Sequence, residues 1–114
     1  MLDCERKNAW AQQARRWSTA AVGIDAQGRV LFIHARSPWS THDLIDILRE
    51  LPLDLQRLMY VEGGPEASLF AKVGGRVELS AIGSFETGFW ERDDNQRFWQ
   101  VPNVIAVMPP RPAE

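Results

Sequence analysis

Cysteine is nearly absent from this chain, since Cys4 is the only one among 114 residues. A single cysteine excludes an internal disulfide framework, and it is too isolated to form a thiolate metal site. A basic surplus is also lacking, because 13 Lys and Arg are set against 15 Asp and Glu, which gives a formal net charge of −2. Nucleic-acid binding usually depends on such a surplus. We therefore expect no nucleic-acid partner, no metal and no other cofactor.

Long apolar runs are lacking as well. No stretch is long enough to span a bilayer, and no apolar region of a signal peptide follows Met1. We therefore expect no membrane partner and no export of the chain as written, although a longer parent protein could still be exported. The cellular location stays unknown. The one basic cluster, Arg15 and Arg16, is more typical of a solvated pair than of a phosphate-binding clamp.

The composition is that of a globular domain, with 45% hydrophobic and 25% charged residues. Tryptophan is abundant for a chain of this length. Two interpretations of these indoles stay open, namely core packing and the aromatic walls of a sugar-binding cleft. The five tryptophans lie near probable loops or strand ends: Trp10, Trp17, Trp39, Trp90 and Trp99.

The order of apolar runs and turn residues predicts an α+β fold, a mixed and largely antiparallel sheet with one helix packed on it. The helix is predicted over 41–50, where Ser40 or Thr41 can cap its N-terminus and leucine and isoleucine recur at helical spacing. The remaining segments, in chain order, are an N-terminal arm (1–17), a hairpin (19–36), a strand (57–63), a second hairpin (67–73 and 76–82), a long loop (83–100), a last strand (103–108) and a tail (109–114).

The strand 57–63 runs directly into a carboxylate, two glycines and a proline, in "RLMYVEGGPE". Its apolar residues do not alternate with polar ones, which predicts burial on both faces. Gly63 and Gly64 allow a sharp turn or the close approach of a ligand, and Pro65 stiffens the exit. Glu62 and Glu66 are then held at a strand end, and glycosyl transfer commonly uses two such carboxylates. From these residues alone, a tight turn with both glutamates in water is the favoured interpretation.

Four segments resemble the phosphodiester glycosidase family, which includes an enzyme that removes N-acetylglucosamine from a phosphodiester-linked mannose. "MYVEGGPEASLF" is similar to the family's "lDGGpSasL" signature, and "WSTAAVGIDAQGRVLFI" to its "R-ta-GiD-dGrvll" hairpin. "STHDLIDILRELPL" resembles the helix before that signature, and "WQVPNVIAV" the closing "R-vPNal-v" strand. The resemblance covers about 10–108. It implies hydrolysis of a sugar-1-phosphodiester or related glycoside, and the "EGGPEA" form suggests a separate bacterial branch.

The resemblance also implies site residues. Glu62 is the leading acid/base candidate, with Glu66 and Glu86 as catalytic partners. The implied substrate-binding residues are Gly63, Gly64, Ser68, Asn103 and Arg16.

Four positions depart from the family pattern. Glu62 replaces an aspartate, and Glu66 replaces a serine. Trp99 and Ser18 stand where the family commonly has arginines. Arg16 or Arg97 can take the place of those arginines only if the alignment with the family pattern is shifted.

Residues 18–108, between the arm and the tail, resemble only the C-terminal half of the family's domain. A half domain leaves a sheet edge and apolar surface exposed, so we expect the chain to form a homo-oligomer. The alternative function is a non-catalytic carbohydrate-binding or oligomerisation module, and a truncated reading frame without function is a third option. The resemblance implies a carbohydrate or phosphosugar substrate, and full-length relatives are often exported.

Overall fold

The computed structural model describes residues 1–113 and contains five strands and one α-helix. The α+β class is confirmed. A short 3₁₀ turn, Gly64–Glu66, lies between the third and fourth strands. The elements in chain order are β1 (Trp17–Asp25), β2 (Val30–Trp39), α1 (Thr41–Glu50), β3 (Leu55–Gly63), β4 (Ser68–Val73) and β5 (Arg76–Ile82).

The strands form two antiparallel sheets rather than one. The larger sheet has the order β2-β1-β3, and β4 and β5 form a separate two-stranded sheet. The chain leaves the larger sheet at the 3₁₀ turn, where Gly64 has a φ of +72° and Pro65 has no amide hydrogen to donate. This turn ends β3 at the position where the two candidate glutamates lie.

The β1–β2 hairpin is fixed by the side chain of Asp25. One of its carboxylate oxygens accepts from the amides of Gln27 and Arg29, both at 2.9 Å, and the other lies 2.7 Å from the Arg29 Nε. Gly28 provides the left-handed residue of this turn, with a φ of +78°. Burial alone would raise the pKa of the Asp25 carboxyl, but these hydrogen bonds outweigh it and lower the pKa.

Helix α1 has the bounds that the sequence predicts. The Ser40 hydroxyl accepts from the Asp43 amide at 3.1 Å and so caps the N-terminus. The buried face of the helix meets one face of the larger sheet, and Ile45 at its centre is 0% exposed. The buried core consists of Ala21, Leu44, Ile45, Leu48, Leu55 and Leu58.

The opposite face of the larger sheet, here called the outer face, has no helix packed on it within residues 1–113 and is partly exposed. Its exposed apolar side chains include Ile24, Phe32, Met59 and Val61. The prediction that β3 is buried on both faces is therefore wrong. Leu58 is 6% exposed because it points toward the helix, whereas Met59 is 53% exposed because successive side chains of a strand point to opposite faces.

The C-terminal part of the chain holds no strand among residues 83–113. The loop predicted over 83–100 is confirmed, but the strand predicted over 103–108 is wrong. That segment is β-prone but finds no partner strand, and a strand needs a ladder of hydrogen bonds. Val104 is 75% exposed. The last residue of the predicted tail, Glu114, lies outside the described residues.

The N-terminal arm lies against the helix without forming one. Leu2 and Asn8 pair in an isolated bridge, and Leu2 and Trp10 contact the core. The Asn8 side-chain amide donates to the Asp46 carboxylate at 3.0 Å. Throughout residues 1–113, no helix combines the length and the apolar character that crossing a membrane requires.

Candidate functional site

Three glutamates from three separate segments line one pocket of about 360 Å³. Glu62 precedes the last residue of β3, Glu66 ends the 3₁₀ turn, and Glu86 comes from the long loop. These are the three residues that the sequence proposed as catalytic. The other residues that line this acidic pocket are Arg15, Trp17, Tyr60, Gly63 and Phe89.

Glu86 reaches the strand end because its loop is joined to the start of β1. The Ser18 amide donates to the Phe85 carbonyl at 2.9 Å, and the Glu86 and Trp90 backbones exchange two hydrogen bonds of 2.9 Å. These contacts fix the backbone on both sides of the carboxylate. The position of Glu86 therefore depends on pairing between residues far apart in sequence.

Buried polar side chains brace the same loop from beneath. The Ser18 hydroxyl accepts from the Ser84 amide at 2.9 Å, and the Ser84 hydroxyl accepts from the Asn95 amide at 3.1 Å. The Asn95 side chain donates to the Gly83 carbonyl at 2.8 Å. Arg36 of β2 ties the loop to β5, since its guanidinium donates to the Ile82 and Asn95 carbonyls. A loop held in this way can present a side chain at a fixed place.

The two glycines are needed because protein side chains occupy the space beside them. A Cβ atom on Gly64 would overlap the Glu86 carboxylate, and one on Gly63 would overlap the Tyr60 hydroxyl and the Trp17 ring. The Gly63 amide donates to the Glu62 Oε1 at 3.0 Å. The absence of a side chain at Gly63 and Gly64 thus lets Glu86, Tyr60 and Trp17 pack against the backbone next to Glu62.

The charges of the pocket are unbalanced toward the negative. Burial raises the pKa of the Glu86 carboxyl, Arg15 opposes the rise from 3.8 Å, and the negative charges of Glu66 and Glu62 add to it. Burial also raises the pKa of Tyr60 to about 12, and the three glutamates contribute to that rise. These surroundings favour the protonated form of Glu86 more than water does, and Tyr60 remains a neutral hydrogen-bond donor.

Residues 2–108 match the family model described as phosphodiester glycosidase. The chain belongs to the phosphodiester glycosidase family. This confirms the family that the sequence resembles, and the match also includes most of the N-terminal arm. No curated protein and no solved structure gave a match.

A second groove of about 590 Å³ continues from the acidic pocket of this phosphodiester glycosidase relative. The two share Tyr60, Glu62 and Glu66. Ser68 and Asn103, both expected to bind substrate, line this second groove and not the acidic pocket. Its other walls are mostly apolar and consist of the outer face, Leu69 and Phe70 of β4, and the segment 101–106. The groove is therefore polar at the end where Glu62 and Glu66 lie and apolar along the rest of its length.

Arg16 is placed differently from Arg15. Its side chain is exposed, its backbone pairs with Thr87, and it does not line either cavity as far as residues 1–113 define them. Arg15 instead places its guanidinium 5.6 Å from the centre of the Trp17 ring and beside Glu86. The positively charged residue of the acidic pocket is therefore Arg15, and not Arg16 as the resemblance implied.

Sequence reasoning also missed Tyr60 and Phe89. Tyr60 lies two residues before Glu62, but a β-bulge separates them, so that Tyr60 pairs with Ala21 and Glu62 with the adjacent Ala20. The regular alternation of a strand therefore does not predict that both line the pocket. No local signal marked Phe89 or Arg15 either, and both reach the pocket through tertiary contacts. Within residues 1–113, no three His, Cys, Asp or Glu side chains are arranged to hold a metal ion.

Proposed function

We propose that the protein hydrolyses a sugar-1-phosphodiester or a related glycoside in the acidic pocket. The observation that carries this proposal is the convergence of Glu62, Glu66 and Glu86 from three segments of the chain. Membership of the phosphodiester glycosidase family supports it. Two carboxylates on either side of a glycosidic bond are the usual catalytic pair of glycoside hydrolysis.

The proposed division of labour follows from the surroundings of each carboxylate. Glu86, with its raised pKa, donates a proton to the leaving oxygen as the bond from the anomeric carbon to that oxygen breaks. Glu62, oriented by the Gly63 amide, accepts a proton from the attacking water. Glu66 adds negative charge that stabilises an oxocarbenium-like transition state. The products are the free sugar and a phosphomonoester or alcohol.

The proposal is tested by assaying Glu62→Gln against a chromogenic phosphodiester of N-acetylglucosamine. We expect a loss of about a hundredfold or more in kcat, the typical contribution of a positioned acid or base. Glu50→Gln is the matched control, because Glu50 is exposed at the end of α1 and outside the pocket. Full activity of Glu62→Gln would exclude the assigned role.

The second candidate function is a non-catalytic carbohydrate-binding or oligomerisation module. The observation that favours it is the partly exposed outer face together with exposed Val104, Val107 and Met108. Exposed apolar surface often marks a protein–protein contact, and a second copy of the chain is the occupant proposed for it. Glycan binding without turnover, with a mass that doubles at higher concentration in light scattering, would support this candidate over the enzyme.

A further inference from the structure

Tyr60 occupies the junction of the two cavities. It lies on β3 and lines both the acidic pocket and the larger groove, as do Glu62 and Glu66. Its ring packs against Trp10, with the ring centroids 5.6 Å apart and the planes tilted by 37°. The indole therefore supports the phenol ring from one side, and the hydroxyl is directed along the strand toward Gly63.

The hydroxyl of Tyr60 lies directly above the strand end. A Cβ atom on Gly63 would overlap this oxygen, so the phenol reaches the end of the strand that carries Glu62. Among the hydrogen bonds of residues 1–113, none involves this hydroxyl, although it is surrounded by three carboxylates whose charges act on it. A donor at the centre of the site is thus free for a ligand.

The chemistry of the pocket indicates which ligand atom needs this donor. Ionised carboxylates only accept hydrogen bonds, and so do the non-bridging oxygens of a phosphodiester. A sugar hydroxyl can donate to Glu62 or Glu66, but a phosphate oxygen at the junction can only be repelled by them. Arg15 is the one cation among the lining residues of the acidic pocket, and it is already beside Glu86.

We propose that the Tyr60 hydroxyl is a specificity-determining donor that binds a non-bridging phosphate oxygen of the substrate at the junction of the two cavities. This inference rests on the proposed function and names the group that distinguishes its substrate from a neutral glycoside. The phenol is suited to this task because it donates without bringing a charge, and its pKa of about 12 keeps it protonated at any working pH. A cation in its place would pair with Glu62 and weaken that carboxylate as a base.

The kinetic test compares Tyr60→Phe with the unchanged protein on two substrates that share one sugar. The phosphodiester should lose about tenfold or more in kcat/KM, the effect of one hydrogen bond to a charged group, whereas an alkyl glycoside should change less than threefold. The phenylalanine retains the ring that contacts Trp10, so the fold should survive, and circular dichroism checks this. Equal losses on the two substrates, or no loss on either, would overturn the inference.

A binding test separates this inference from the proposed function. Tyr60 is the only tyrosine of the chain, so a ¹³Cζ tyrosine label gives one NMR resonance that reports on its hydroxyl. We expect this resonance to shift when N-acetylglucosamine 1-phosphate is added and to stay within error when N-acetylglucosamine is added. A shift without any turnover would retain Tyr60 as a phosphate donor and refute the hydrolase. No shift with the sugar phosphate, or equal shifts with both ligands, would overturn the inference even if the protein is an active hydrolase.

Discussion

Gly64 and Gly28 allow the position of Glu86 to be tested with a matched pair of variants. Both glycines have left-handed backbones, with φ values of +72° and +78°. A Cβ atom at Gly28 meets nothing within 4 Å, whereas one at Gly64 overlaps the Glu86 carboxylate and lies 3.1 Å from the Glu86 Cβ. Replacing each by alanine therefore applies the same backbone strain, with and without a collision at the acidic pocket.

The expected losses of stability follow from the backbone strain, which both variants have, and from the collision with Glu86, which only Gly64→Ala has. The left-handed conformation costs a residue with a Cβ atom about 1–2 kcal/mol, and both variants have this cost. Crowding against Glu86 adds about 1–3 kcal/mol in Gly64→Ala alone, because the Glu86 backbone is fixed by its hydrogen bonds to Trp90. The difference between the two variants cancels the change in unfolded-chain entropy, which is common to both.

Urea denaturation measures the two free energies of unfolding, and the phosphodiester assay measures activity. We expect Gly64→Ala to be less stable than Gly28→Ala by about 1–3 kcal/mol and to lose at least tenfold in kcat, with Gly28→Ala fully active. Equal stabilities together with equal activities would refute the claim that Glu86 can occupy its position only if residue 64 has no Cβ atom.

Three further predictions concern the core and two titrating groups. Ile45→Ala should lower the free energy of unfolding by about 2–5 kcal/mol in urea denaturation, whereas Leu51→Ala, at a 46% exposed position, should change it by less than about 1 kcal/mol. Because burial raises the folded-state pKa of Glu86, the contribution of this residue to stability is lost as pH rises through that pKa. The stability of Glu86→Gln should therefore depend less on pH in that range. An unchanged slope of urea midpoint against pH would contradict this. Burial lowers the pKa of His34 and Arg36 adds to this, while the Ala67 carbonyl opposes it, so stability should fall as pH drops from 6.5 toward the folded-state pKa, and His34→Gln should remove that dependence in the same titration.

The fate of the segment 103–108 illustrates the limit of propensity. Its valines and isoleucine favour a strand, yet it finds no partner among the described residues. The helix at 41–50 was predictable to the residue because its signals are local: a Ser40 cap, an acidic first turn and a stop at Pro52. Local signals therefore located elements well, except where an element depended on pairing with a distant one.

The sequence by itself determined the family, the α+β class, the helix and the two hairpin turns, because caps, turn glycines and apolar spacing act between near neighbours. The resemblance to the family also named Glu62, Glu66 and Glu86 as catalytic candidates. Only the tertiary structure decided that the three glutamates line one pocket, that Arg15 rather than Arg16 lines it with them, and that Tyr60 lines both cavities. Those placements arise from hydrogen bonds such as the one from Ser18 to Phe85, between residues remote in sequence, which no local pattern encodes.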